Sequence, residues 1–181
     1  MGEIKSTIDL VMEKTRGMEL SAQERKELRN KEYLLKAKAL SKRYLNGDIS
    51  LVNLEKELAT FEEKAKEQIT HDILKYLAED LDFGKNYEMA LNGIERLSRG
   101  RTDNSEFIGK IRNIFVEFDQ LKEKHYQDIN NRIIGELSKT GISGDAVNPN
   151  VESNPVWKET ISRLAEDYRG NLEKLKAKLI G

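Results

Sequence analysis

Residues 104–139 read NSEFIGKIRNIFVEFDQLKEKHYQDINNRIIGELSK, and their periodicity decides the fold class. Phe107, Ile111, Ile114, Phe118, Leu121, His125, Ile129, Ile133 and Leu137 recur in steps of three and four. That repeat holds side chains on one helix face and makes a heptad-like seam. A helix of this length needs a partner along its whole seam, so the flanking sequence must supply other helices.

Downstream, Thr140 to Ser153 contains Gly141, Gly144 and Pro149 but no Lys or Arg. A connection of about 14 residues is long for a helical bundle, which favours a flexible segment over a binding loop. A last helix then begins with Asn154 as cap and Pro155 at its first position, where the missing N–H costs nothing. Trp157, Ile161, Leu164, Tyr168, Leu172, Leu175 and Leu179 form its stripe.

Upstream, Asp103-Asn104-Ser105-Glu106 and Ser21-Ala22-Gln23-Glu24 are two capping boxes, in which hydroxyl or carboxylate oxygens satisfy free backbone N–H groups. Ile4, Ile8, Val11 and Met12 give a first helix over about 3–16, ended by Gly17. The second runs from Ser21 to Asn46-Gly47. The third starts after Ser50 and carries Leu54, Leu58, Phe61, Ala65, Ile69, Ile73 and Leu77 to about Phe83, with Thr70-His71 as the place for a kink. Unbroken, it would be about 50 Å long. Asn86 caps a shorter fourth helix with Ala90, Leu91, Ile94 and Leu97, ended by Gly100. Gly93, Gly109, Gly135 and Gly170 fall inside helices, a cost of up to about 1 kcal/mol each that close helix approach would offset.

Residues 1–148 contain no proline, and no stretch alternates with the period of two that a strand requires. The reading is all-α: a single domain over 1–181 of about six helices, in an elongated antiparallel bundle with coiled-coil-like long helices. The 51–83 and 104–139 segments are its expected core, and the connection at 140–153 precedes the last helix.

Composition removes several function classes. The 181 residues hold 31 Lys plus Arg, 32 Asp plus Glu and no Cys, for a net charge of -1. Disulfides, thiolate nucleophiles and cysteine metal sites are therefore out. No apolar run approaches the roughly 20 residues a membrane span needs. The near-zero sum conceals a segregation: residues 22–45 are net +5 and residues 51–83 net -5. Consecutive helices of opposite charge are expected to lie antiparallel with opposite charges facing across their flanks. The competing reading makes the basic run at 25–43 a phosphate-binding surface built on Arg25, Arg29, Lys36 and Arg43, extended by Arg99 and Arg101.

Chemistry-bearing motifs are missing. A di-iron bundle needs Glu-x-x-His, yet Gln68 and Lys122 stand three before His71 and His125. The sequence lacks the phosphate-cradling glycine loops, the zinc helix signature and the calcium loop. Met1-Gly2-Glu3-Ile4-Lys5-Ser6 meets the minimal myristoylation pattern, but the same residues open an amphipathic helix. His125 on its seam and Trp157 in the first turn of the last helix mark a pocket or an interface. No catalytic residue, cofactor or metal is assigned.

The opening Gly2-Glu3-Ile4-Lys5-Ser6-Thr7-Ile8-Asp9-Leu10-Val11-Met12-Glu13-Lys14-Thr15 resembles the start of an uncharacterised family of small bacterial helical proteins. The resemblance implies a bacterial cytoplasmic setting and carries no functional residue. The expectation is a non-enzymatic interaction or scaffold protein working through helix–helix contacts, with a protein partner or a second copy. The alternatives are a nucleic-acid-associated or regulatory binder using 25–43 and a small-molecule-binding helical bundle.

Overall fold

Ser21 opens the first helix as its sequence directs: the Glu24 N–H donates to the Ser21 hydroxyl at 3.2 Å, and the Ser21 N–H donates to the Glu24 carboxylate at 2.8 Å. The computed structural model describes residues 21–98, 104–144 and 147–180. Among them are six α-helices and no strand: α1 Ala22–Leu45, α2 Leu51–Ala59, α3 Glu63–Asp80, α4 Tyr87–Leu97, α5 Asn104–Lys139 and α6 Pro155–Ile180. A short 3-10 turn, Val151–Ser153, precedes α6. The helix read over 3–16, its stop at Gly17, Gly100 and the Asp103 cap lie outside the described residues.

The segment expected as one helix over 51–83 is two. Thr60 ends α2 with its hydroxyl donating to the Glu57 carbonyl at 2.7 Å, and Glu62 turns extended before α3 begins. The chain thereby folds back, α3 reversing against α2, while helix runs unbroken through Thr70-His71. Gly47, at φ 79°, makes the earlier turn from α1 to α2, a backbone conformation that suits a residue without Cβ.

These reversals lay α1 beside α3 with their C-terminal ends together, so the +5 segment packs on the -5 segment in parallel and not in the expected antiparallel hairpin, because the break at Thr60–Glu62 turns the chain once more. Ser41, Leu45 and Tyr76 line a cavity between them. Arg43 bridges to Glu57 on α2 at 3.0 Å, and Lys36 sits 5.2 Å from the Phe61 ring centre. The two long segments do not form the core by pairing with each other. α3 packs chiefly on α1 and α4, and the principal partner of α5 is α6. Tyr87 beside Asp119 and Glu95 beside Arg112 set α4 antiparallel to α5, and Phe118 beside Tyr168 and Phe107 beside Lys178 set α5 antiparallel to α6.

One internal glycine has the expected packing reason. A Cβ on Gly93 would stand 2.8 Å from both Leu77 Cδ1 and Tyr44 Cε1, so glycine lets α4 settle onto α1 and α3. Open space surrounds Gly109, Gly135 and Gly170, and close approach does not account for them. The core joins Leu40 and Tyr44 of α1, Ile69, Ile73 and Leu77 of α3, Leu91 and Ile94 of α4, Ile111 and Phe115 of α5, and Leu172 and Leu179 of α6. Beside it, Phe83 packs on Phe115 and Phe118, and Tyr87 stacks on Phe115 at 4.1 Å. Among the described residues, no helix is long and apolar enough to cross a membrane.

Candidate functional site

The buried residues of α5 are Asn104, Ile108, Ile111, Phe115 and Phe118, all in its first half. Beyond Phe118 no α5 residue is fully buried, although Leu121, Tyr126, Ile129, Ile133, Ile134 and Leu137 continue the apolar pattern. They are half-buried because, among the described residues, this part of α5 has α6 and the 3-10 turn as neighbours and lies past the point where the Tyr87 hydroxyl of α4 donates to Asp119 at 3.2 Å. The result is a two-helix arm, about 28 Å long over residues 121–139. Val156 is 49% exposed on it and Ile142, just past α5, is 52% exposed.

At the base of the arm the chain builds a cleft. Asn150 accepts from the Ser153 N–H at 3.2 Å and the Ser153 hydroxyl donates to the Asn150 carbonyl at 3.0 Å, closing the 3-10 turn. Val151, 1% exposed, anchors that turn in the interior. Asn154 then caps α6, accepting from the Val156 N–H at 2.8 Å. Trp157 is thereby set against Tyr126, rings perpendicular at 5.5 Å. Asp119, Lys122 and Glu123 from α5 and Glu152 from the turn complete a cleft of about 380 Å³.

His125, expected to share a pocket with Trp157, does not line this cleft. It is half-buried on the neighbouring column of α5, and Tyr126, one residue on, takes the place beside the indole. Sequence reasoning missed Tyr126. Asp119, Lys122, Glu123 and Tyr126 share one helix face at steps of three and four, a signal present in the sequence but masked by the stronger apolar seam.

The proposed basic surface is divided. Arg25 and Arg29 lie on the exposed first half of α1, while Arg43 is about 21–27 Å further along the helix and engaged with Glu57. Lys36 pairs with Glu32 at 2.7 Å. Arg99 and Arg101 lie outside the described residues. The nearby Arg96 is held by Glu55 at 2.7 and 3.1 Å, and Arg112 reaches Glu88 and Glu95.

Titration adds little chemistry. Burial pushes the Tyr44, Tyr87 and Tyr168 phenols above their ordinary value, with Asp119 and Glu117 adding to the last two respectively. Among the described residues, no three His, Cys, Asp or Glu side chains converge to hold a metal ion. The chain matches no family model, and comparison with curated proteins and with solved structures found no significant match. The Gly2–Thr15 segment that carries the family resemblance lies outside the described residues.

Proposed function

We propose that this protein is a non-enzymatic scaffold that acts through helix-on-helix contacts, and that its contact surface is the arm made by the second half of α5 and the first half of α6. The observation that carries this reading is the run of half-buried apolar residues from Leu121 to Leu137, with no third α-helix against it among the described residues. A pair of helices buries one stripe of each; a wider apolar face calls for further helices. A second copy is the partner we favour. Two arms placed antiparallel make a coiled-coil-like four-helix bundle, and the arm carries the charge for it. Lys122, Lys124, Arg132 and Lys139 on α5 with Lys158 and Arg163 on α6 are balanced by Glu123, Asp128 and Glu136 on α5 with Glu159, Glu166 and Asp167 on α6. Such mixed flanks complement themselves under two-fold symmetry. A bacterial cytoplasmic setting belongs to the same proposal.

Sedimentation velocity over a hundredfold range of protein concentration tests it. A monomer–dimer transition that Ile133→Glu abolishes is the expected result. A chain that stays monomeric throughout, or a dimer indifferent to Ile133→Glu, overturns the arm as the contact. A nucleic-acid surface has weaker support, because Lys36, Arg43 and Arg96 already have acidic partners. Retention on heparin at low salt would favour it instead.

A further inference from the structure

The cleft at the base of the arm has a composition that the scaffold reading uses only in part, through Lys122 and Glu123. Its walls carry three carboxylates, Asp119, Glu123 and Glu152, against one cation, Lys122. None of the three carboxylates is in an ion pair among the described residues. Asp119 accepts from the neutral Tyr87 hydroxyl, and Glu123 accepts from the Gln127 amide at 2.9 Å. Two aromatic rings at right angles, Tyr126 and Trp157, form the remaining corner. Carboxylates beside aromatic faces are the surroundings that favour an organic cation over a metal ion, because a guanidinium or ammonium gains from both charge and ring.

Trp157 adds a second, independent feature. It is 7% exposed, yet its indole N–H has no hydrogen-bond partner among the described residues. Nor is it among the fully enclosed unpartnered polar atoms, which are Ser41 Oγ, Ser98 Oγ and Asn104 Nδ2. The donor therefore keeps contact with open space, and Trp157 lines the cleft. An indole N–H can only donate, so a ligand that satisfies it must bring an acceptor.

We propose that this cleft binds a basic residue of a peptide segment, its guanidinium or ammonium held by Glu123, Glu152 and Asp119 beside the two rings, and its backbone carbonyl accepting from Trp157. A bare cation would satisfy the carboxylates and leave the indole donor unpaired. A neutral peptide would do the reverse.

Trp157 is the sole tryptophan, and its emission reports the cleft directly. The experiment titrates the full chain at micromolar concentration with N-acetyl-arginine amide, N-acetyl-citrulline amide and butylguanidinium, reading tryptophan fluorescence. A saturable change with the arginine compound at millimolar concentration is expected, with no saturable change from its neutral citrulline isostere. Butylguanidinium, lacking the carbonyl, is expected to bind several-fold more weakly. The exposed pair Glu123→Gln plus Glu152→Gln is expected to weaken the arginine compound about tenfold at unchanged helical signal, and Lys122→Ala to tighten it. An equal response to citrulline, or no saturable response to arginine, overturns the cation site. Equal affinity for butylguanidinium overturns the peptide source and leaves a free organic cation as the ligand.

Discussion

The Tyr44 hydroxyl donates a 2.8 Å hydrogen bond to the Met89 carbonyl, tying the end of α1 to the first turn of α4 across 45 positions of sequence. The ring that carries this hydroxyl is the one that a Cβ on Gly93 would strike. Removing the hydroxyl leaves a half-buried carbonyl without its donor, so Tyr44→Phe should destabilise by about 1 kcal/mol in urea denaturation. Burial raises the Tyr44, Tyr87 and Tyr168 phenols in the folded chain. Their contribution is complete below the unfolded value near 10 and is lost as pH rises through the higher folded values. Midpoints measured from pH 8 to 11 should hold steady and then fall above about 10, less steeply in Tyr44→Phe. A midpoint that climbs over that range would contradict the burial of these rings.

Glycine-to-alanine changes should split in sign. Gly93→Ala sets a methyl against a Tyr44 ring that its hydrogen bond holds in place, and should cost about 1–2 kcal/mol. Gly170→Ala meets open space on α6 and should stabilise by about 0.5–1 kcal/mol. Thermal melts of the two variants provide the check.

Core and arm should respond differently to truncation. Leu77 is fully buried, and Leu77→Ala should cost about 3 kcal/mol at any protein concentration. Ile133 is half-buried on the arm, and Ile133→Ala should cost less than about 1 kcal/mol in dilute solution. If arms associate, the cost at Ile133 grows with concentration, as linkage requires.

Val151→Ala removes two buried methyl groups and should cost about 1.5 kcal/mol. Hydrogen exchange should localise the loss of protection to the 3-10 turn and the first turns of α6, with α1, α3 and α4 unchanged. Uniform loosening would mean that Val151 belongs to the central core.

Much of this architecture was legible because local signals and tertiary packing agree. The bounds of α5, the Ser21–Glu24 box and the Asn154-Pro155 start each rest on nearest-neighbour chemistry that packing reinforces. The opposed charges of 22–45 and 51–83 anticipated that the segments pack side by side but not their direction, since the break at Thr60–Glu62 leaves α3 parallel to α1. The break at Thr60–Glu62 was hidden because Leu58, Phe61 and Ala65 keep helical spacing across it, and Glu62 makes no side-chain cap that would mark a fresh start. Asn86 shows the converse: it occupies the cap position of α4 and makes no side-chain bond there. At the cleft, Trp157 was legible from its place in the first turn of α6. Its partner was not, since Tyr126 and His125 are adjacent and only the rotation of α5 against α6 decides which meets the indole.

Leu172 and Leu179 of α6 share the core with residues from α1, α3 and α4. Helices α1, α3 and α4 therefore wait for α6 to be synthesised before their common interior is sealed. The face they expose in that interval is the part of the molecule most open to misassembly or to a chaperone.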